Sequence, residues 1–142
     1  MVELVLPPRP DVLALARLVV AGLVSADPSF DDERIDDLRL AVSEACTNAI
    51  EAQLGATSDR FDAPIIVRCW MEAGRAAVEI HDNGRGFDPR SLASHPPVTD
   101  PTRLDFERGL GIPLIRMLSD EVEFRSSPTG TVVAMTFEAR RR

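Results

Sequence analysis

The sequence predicts an α+β fold, a two-layer sandwich in which helices cover one face of a mixed β-sheet. Helix and strand patterns do not show the regular β-α-β alternation of a parallel sheet, and several strands come in pairs joined by tight turns. With 142 residues, of which 44% are hydrophobic, the chain has room for one globular core. Residues 1–142 are therefore interpreted as a single domain.

The first half of the chain is predicted to form one strand and two helices. Val2–Leu6 has a short strand pattern that two prolines stop, and residues 11–25 carry apolar residues at helical spacing. The strongest helical pattern covers Asp32–Leu54, because its apolar residues recur at three- and four-residue steps and form one stripe. The members of this stripe are Ile35, Leu38, Val42, Ala45 and Ala49.

The second half is predicted to contain two hairpins with a long loop and a short helix between them. The predicted strands are 65–71, 76–81, 122–125 and 131–137. Residues 88–108 contain four prolines, many small polar residues and few apolar ones, which predicts a mobile loop. Loops of that length inside a compact domain are usually lids or binding loops. The short helix Gly111–Leu118 is predicted to follow.

Composition argues against several classes of protein. A formal net charge of −7 argues against direct binding to nucleic acid or to an anionic membrane surface. Two cysteines are too few for a disulfide scaffold, and Cys46 and Cys69 are predicted to be buried reduced thiols. The sequence shows neither a signal segment nor an apolar run of about 18 residues, so the expected compartment is the cytoplasm.

The first candidate motif lies on the long helix. Glu44 and Asn48 are four residues apart and share one face, which points away from the apolar stripe. An asparagine oxygen is a hard ligand that suits Mg²⁺, and a glutamate one turn away can deprotonate an attacking hydroxyl. The alternative is an ordinary solvated helix face, although asparagine is a poor helix former.

The second candidate motif follows the strand predicted at 76–81. Asp82 stands at the strand end, where a carboxylate can accept a hydrogen bond from an adenine amino group. Gly84 and Gly86 come directly after it and let the backbone approach a flat ring. The alternative is a simple turn, because Asp-Asn-Gly is a common turn sequence.

The third candidate motif opens the short helix. Gly109, Leu110 and Gly111 would offer free backbone N–H groups to phosphates, while the alternative is a plain loop-to-helix junction. The glycine patterns of dinucleotide-binding folds and of P-loops are absent. The occurrence of all three motifs in this order, with the long loop between the last two, predicts an ATP site.

These three motifs resemble the N, G1 and G2 boxes of the GHKL ATPases. Within that group, VSEACTNA at 42–49 and ERGLG at 107–111 are similar to the bacterial anti-sigma factor serine-protein kinases. The resemblance runs over essentially the whole chain. It implies the same ATP-binding fold and a soluble partner-switching regulator.

The resemblance also implies a role for each motif residue. Glu44 would be the catalytic base, Asn48 the Mg²⁺ ligand and Arg108 the cation that neutralises the transferring γ-phosphate. Asp82 would bind the adenine amino group, and the segment 88–108 would be the ATP lid. The remaining nucleotide-binding residues would be Gly84 and Gly86 beside the ring, Gly109, Leu110 and Gly111 at the phosphates, and Thr131, which would support adenine through water.

The function implied is that of a serine/threonine protein kinase using ATP and Mg²⁺. It would bind a sigma factor, phosphorylate an anti-sigma factor antagonist, and form a homodimer through the N-terminal strand and the helix at 11–25. One alternative is an anti-sigma switch that binds nucleotide without kinase activity. Intact Glu44 and Asn48 argue against it, whereas Glu51 near the phosphates and the proline-rich stretch 94–101 leave it open. A histidine kinase fragment is disfavoured because residues 11–25 contain no histidine, and a scaffold protein would not need all three motifs.

Overall fold

The computed structural model describes residues 1–55, 62–84 and 111–139. The strands are β1 (Val2–Leu6), β2 (Ile65–Glu72), β3 (Arg75–Asp82), β4 (Glu121–Ser127) and β5 (Gly130–Glu138). The helices are α1 (Leu13–Ser25), α2 (Asp32–Leu54) and α3 (Gly111–Leu118), and a short 3-10 helix (Pro10–Val12) precedes α1. The predicted bounds of β1, α2 and α3 are confirmed, whereas the other strands extend one or two residues further at one or both ends. The predicted lid at 88–108 lies outside the described residues.

The described strands form one sheet in the order β1-β2-β3-β5-β4, and each neighbouring pair is antiparallel. The α+β class is confirmed, but the mixed sheet was wrong for the described strands. Tight turns join β2 to β3 and β4 to β5, so both pairs must run antiparallel. The long connection from β3 to β5 contains α3 and β4, and it returns the chain so that β5 also opposes β3.

The hydrophobic core lies between the helices and one face of the sheet. Every second residue of the three central strands is buried there, and the set includes Ile65, Val67, Cys69, Ala76, Val78, Ile80, Val133, Met135 and Phe137. All five residues of the predicted α2 stripe are buried, which confirms that stripe as the core side of the helix. The opposite face of the sheet carries half-buried charged side chains such as Arg68 and Glu79.

A buried arginine ties the start of α2 to the end of α3 and to β5. Arg34 donates from Nε to the carbonyl of Glu138 at 2.8 Å and from Nη1 to the carbonyl of Leu118 at 2.8 Å. Its Nη2 pairs with Asp120, and its guanidinium lies 5.3 Å from the centre of the Phe137 ring. A planar guanidinium with several donors is suited to this role, because it satisfies carbonyls and a carboxylate at once. The C-terminal end of α3 is thereby fixed on the core.

No helix among residues 1–55, 62–84 and 111–139 combines the length and the apolar character needed to cross a membrane.

Candidate functional site

Three of the predicted site residues meet where α3 begins beside α2. A β-carbon placed on Gly111 would stand 2.8 Å from Oε2 of Glu44 and 3.2 Å from Nδ2 of Asn48. Gly111 is buried, while Glu44 and Asn48 are half-buried. The absence of a side chain at residue 111 therefore lets the first turn of α3 lie directly on the Glu44/Asn48 pair. The first and third sequence motifs, which both bear on phosphate chemistry, are therefore neighbours in the structure.

Asp82 ends β3 in a polar but largely buried environment. Its Oδ1 accepts a hydrogen bond from the backbone N–H of Gly84 at 2.9 Å, and Asp82 lies opposite Thr131 in the β3–β5 register. Burial raises the pKa of the Asp82 carboxyl to about 6, although hydrogen bonds from the Gly84 and Thr131 backbones and the nearby His81 oppose that shift. Such a carboxyl stays mostly ionised at neutral pH and has a strong tendency to accept a further hydrogen bond.

A cavity of about 610 Å³ opens beside this carboxyl at the end of the sheet. Its lining among the described residues is Asp82, Asn83, Phe124, Arg125, Ser126, Ser127, Thr129, Gly130, Thr131 and Val132. Thr131 is buried, and its hydroxyl lies 3.2 Å from that of Ser126. The volume is within the range of small-molecule sites, which are typically about 300–1,000 Å³. The cavity is therefore large enough for a small-molecule ligand and has polar groups at its wall.

The turn after β3 packs directly on the C-terminal half of α2. A β-carbon on Gly84 would overlap the carbonyl oxygen of Ala52 and would stand 2.9 Å from the backbone nitrogen of Gln53. The Gln53 side chain accepts a hydrogen bond from the backbone N–H of Asn83 at 2.7 Å. The sequence predicted that Gly84 serves the approach of a ligand ring. The structure adds a second reason for glycine there, which is the close contact with α2.

Six of the ten predicted site residues fall in the described ranges. Glu44, Asn48 and Gly111 form one group, and Asp82, Gly84 and Thr131 form another at the end of the sheet. The other four, Gly86, Arg108, Gly109 and Leu110, lie outside the described residues.

Sequence reasoning missed two buried polar side chains that hold this arrangement together, Arg34 and Gln53. Arg34 is 3% exposed and Gln53 is not exposed at all. A signal for Gln53 was present, because it continues the stripe of Val42 and Ala49 by one further helical step. A polar residue on an apolar stripe indicates a specific partner in the core.

The histidine and the two cysteines in the described part of the chain have a structural partner or are buried. His81 Nε2 lies 2.9 Å from Oε1 of Glu79 on the open face of the sheet. Cys46 and Cys69 are buried and free, which confirms the prediction of reduced core thiols. Burial raises the pKa of the Cys46 thiol to about 12 and that of Cys69 to about 11, so both remain protonated and unreactive.

Comparison with known proteins identifies the relatives of this fold and site. Residues 6–137 match the histidine kinase-like ATPase domain family. The chain belongs to that family. Among curated relatives, this histidine kinase-like ATPase chain is 34% identical to serine-protein kinase RsbW of Bacillus pumilus, over 96% of this chain and 84% of the relative. It is 33% identical to RsbW of Bacillus subtilis strain 168, over 95% of this chain and 83% of the relative. It is 37% identical to RsbW of Staphylococcus epidermidis, over 85% of this chain and 76% of the relative.

Solved structures show the same histidine kinase-like ATPase fold. The RsbU and RsbW domains of a Mycobacterium tuberculosis protein superpose with a TM-score of 0.68 at 17% identity, over 96% of this chain. The histidine kinase domain of a blue-light activated kinase from Erythrobacter litoralis gives a TM-score of 0.54 at 24% identity, over 75% of this chain. This chain spans 32% of the first structure's chain and 45% of the second. The predicted GHKL fold and the relation to serine-protein kinases are confirmed.

Proposed function

We propose that this chain is an ATP-dependent serine/threonine protein kinase of the partner-switching type. The observation that carries the proposal is the contact of Gly111 with Glu44 and Asn48. It brings a helix N-terminus, a candidate base and a candidate metal ligand to one place, and phosphoryl transfer needs all three functions there. The serine-protein kinase names of relatives at 33–37% identity support the same reaction.

Adenine recognition is assigned to the end of the sheet. Asp82 accepts the hydrogen bond of the adenine amino group, since its carboxyl borders the 610 Å³ cavity and already receives N–H groups from its own backbone turn. Thr131, which lines the same cavity, would support the ring through a bridging water. Gly84 and Gly86 are the glycines that the family resemblance assigns to the ring. A site built on such a hydrogen bond discriminates strongly against bases that lack the amino group.

Phosphate chemistry is assigned to the α2–α3 junction. Bound ATP would supply the γ-phosphoryl group, and a bound Mg²⁺ would supply positive charge to the phosphates. Asn48 holds the metal through its side-chain oxygen, which fits Mg²⁺ because that ion usually takes only one or two protein ligands besides phosphates and water. Gly109, Leu110 and Gly111 offer backbone N–H groups to the phosphates, and Arg108 neutralises the γ-phosphate.

Glu44 is the proposed base for the transfer. It would accept the proton of the serine or threonine hydroxyl as that oxygen attacks the γ-phosphorus, while the bond from the γ-phosphorus to the β–γ bridging oxygen breaks and ADP leaves. The half-buried position of Glu44 keeps it reachable by a protein substrate, and its place one turn from Asn48 sets it beside the metal. In this arrangement the base would act on the attacking hydroxyl, while the metal ligand and the backbone N–H groups would act on the phosphates.

The proposed protein partners are a sigma factor, which the kinase holds inactive, and an anti-sigma factor antagonist, which it phosphorylates. The proposed location is the cytoplasm, with no direct binding to nucleic acid or membrane. We also propose a homodimer built on β1 and α1. In support, β1 is an edge strand of the sheet, and Val5, Leu15 and Leu18 are 59%, 46% and 71% exposed.

The assay for this proposal combines partner capture with phosphate transfer. The tagged chain is incubated with extract of its native host, with and without ATP·Mg²⁺, and captured proteins are then tested with γ-labelled ATP. The expected result is label on a serine or threonine of a captured antagonist. Asp82→Asn is the matched control. This variant should bind ATP weakly and should therefore transfer little label. Binding of ATP by the wild type with no transfer to any captured protein would instead support the non-catalytic switch.

A further inference from the structure

A buried glutamine connects the helix of the proposed base to the turn of the proposed adenine carboxylate. Gln53 is completely buried near the C-terminal end of α2. Its Oε1 accepts a hydrogen bond from the backbone N–H of Asn83 at 2.7 Å. Asn83 follows Asp82 directly, so this contact fixes the peptide that leaves the carboxylate. One side chain of α2 therefore holds the position at which β3 ends.

The other contacts of this turn do not replace the glutamine. Asn83 Nδ2 donates to the carbonyl of Pro64 at 3.2 Å, and Gly84 N–H donates to Asp82 itself. Gly84 also packs on the Ala52 backbone, but this is a contact of shape without a hydrogen bond. Among the described residues, Gln53 alone ties the backbone N–H of Asn83 to the helix that carries Glu44 and Asn48.

The glutamine is a poor choice for core stability alone. Its Nε2 is buried and has no hydrogen-bond partner among the described residues. A buried donor without a partner destabilises the folded state. An apolar group in the place of Nε2 would therefore be more favourable for stability than the amide nitrogen. The useful atom is Oε1, because it is the acceptor that the backbone N–H of the half-buried Asn83 has among the described residues.

We propose that Gln53 is a positioning residue for purine selectivity. By holding Asn83, it fixes the Asp82 carboxylate at the distance and angle that an adenine amino group requires. The strength of a hydrogen bond depends on both its distance and its angle. A less firmly held carboxylate would therefore discriminate less between adenine, which carries an amino group, and hypoxanthine, which carries a carbonyl group at the same position. This inference rests on the proposed adenine role of Asp82.

The test compares the dissociation constants of ATP and inosine triphosphate, each with Mg²⁺, by calorimetry. Inosine triphosphate differs at the position of the amino group, where it carries a carbonyl. Gln53→Met keeps the size and removes the acceptor, and we expect it to weaken ATP binding about tenfold while inosine triphosphate binding stays unchanged. A purely structural role would weaken both nucleotides equally. Gln53→Glu keeps an acceptor oxygen and should retain the wild-type selectivity within about threefold.

Asp82→Asn separates failure of this inference from failure of the proposed function. If Asp82→Asn lowers the selectivity for ATP and Gln53→Met does not, the positioning role is wrong. If neither variant changes the selectivity for ATP, the adenine assignment of Asp82 fails and the inference fails with it.

If Gln53→Met does not fold, the hydrogen bond of Gln53 can be tested on the wild type instead. The Asn83 amide should exchange slowly without nucleotide, and fast exchange would contradict the hydrogen bond to Gln53.

Discussion

Gly111, the first residue of α3, lies so close to Glu44 of α2 that a β-carbon on the glycine would stand 2.8 Å from the carboxylate oxygen Oε2. Contacts below 3.0 Å are essentially absent for real β-carbons, so either the carboxylate or the helix must move when a side chain is added. In the proposed mechanism that movement would displace the base or open the phosphate site. The spacing between these two residues is therefore a sensitive point of the molecule.

Gly111→Ala is expected to lower the rate of phosphate transfer by at least about tenfold, because small displacements of a catalytic group have large effects on rate. Single-turnover measurements with γ-labelled ATP would report this change. Gly22→Ala is the matched control. Gly22 is a helical glycine of α1 with open space around its α-carbon, so alanine there should leave the transfer rate unchanged. Because α1 also carries the proposed dimer surface, the mass of this variant is checked by light scattering. Full activity of Gly111→Ala would contradict the assigned geometry.

Adenine binding should depend on pH through Asp82. In the free protein, burial raises the pKa of this carboxyl to about 6, so protonation removes the acceptor as the pH falls through that value. The affinity for adenosine, which carries no titrating phosphate, should be constant above pH 7 and should decline below pH 6. Calorimetric titration between pH 5 and pH 8 measures this directly. A flat profile for the wild type would rule out ionised Asp82 as the acceptor.

The raised pKa also has a consequence for stability without nucleotide. The folded protein binds a proton at Asp82 more tightly than the unfolded chain does, because the ordinary value of this carboxyl is 3.8. The stability that protonation provides is therefore fully present below pH 3.8 and lost as the pH rises through about 6. Asp82→Asn removes the buried charge, so its Tm at pH 7.5 should be equal to or higher than that of the wild type, although the variant loses ATP affinity. A large fall in Tm would show that the carboxylate is needed for folding.

Part of this fold could be read from the sequence because its determinants are local. The bounds of α2 followed from the apolar stripe, and the structure adds an N-terminal cap in which the Asp31 side chain accepts from the backbone N–H of Arg34. The two hairpins followed from short turns. The antiparallel pairing of β5 with β3 could not be predicted from a turn. More than forty residues separate these two strands in the chain, and no local sequence pattern determines the path of that segment.

Only part of the candidate site, likewise, could be predicted from the sequence. Glu44 and Asn48 could be placed on one face from helix geometry alone, since four residues make about one turn. Their contact with Gly111 depends on how α3 packs on α2, and that packing is held from its far end by Arg34. Gln53 escaped notice because its role is defined only by the position of Asn83, thirty residues later in the chain.

Arg34 should be the charged residue that contributes most to folding. Arg34→Met would leave Asp120 and the carbonyls of Leu118 and Glu138 without their buried donor. Breaking a buried ion pair from one side typically lowers the free energy of unfolding by about 3–5 kcal/mol. Arg39→Met is the matched control, because Arg39 forms an exposed helical pair with Asp36 and should contribute less than about 0.5 kcal/mol. Urea denaturation of both variants tests this, and equal midpoints would refute it.

The proposed dimer can be tested by static light scattering at tens of micromolar protein. The expected mass is twice the chain mass of 15.6 kDa. Leu18→Asp places a charge at the most exposed apolar position of α1 and should shift the mass toward the monomer. A wild-type mass near 15.6 kDa would exclude the dimer at that concentration.

Glu44 is the proposed base of this kinase, and ATP binding is assigned to other residues. The most direct measurement is single-turnover transfer from γ-labelled ATP to the captured antagonist, with wild type and Glu44→Gln compared at equal ATP occupancy. The variant keeps the size of the side chain but cannot accept the proton. It should bind ATP within about threefold of the wild type and transfer phosphate about 10²–10⁴ times more slowly. Transfer by Glu44→Gln at the wild-type rate would contradict the account.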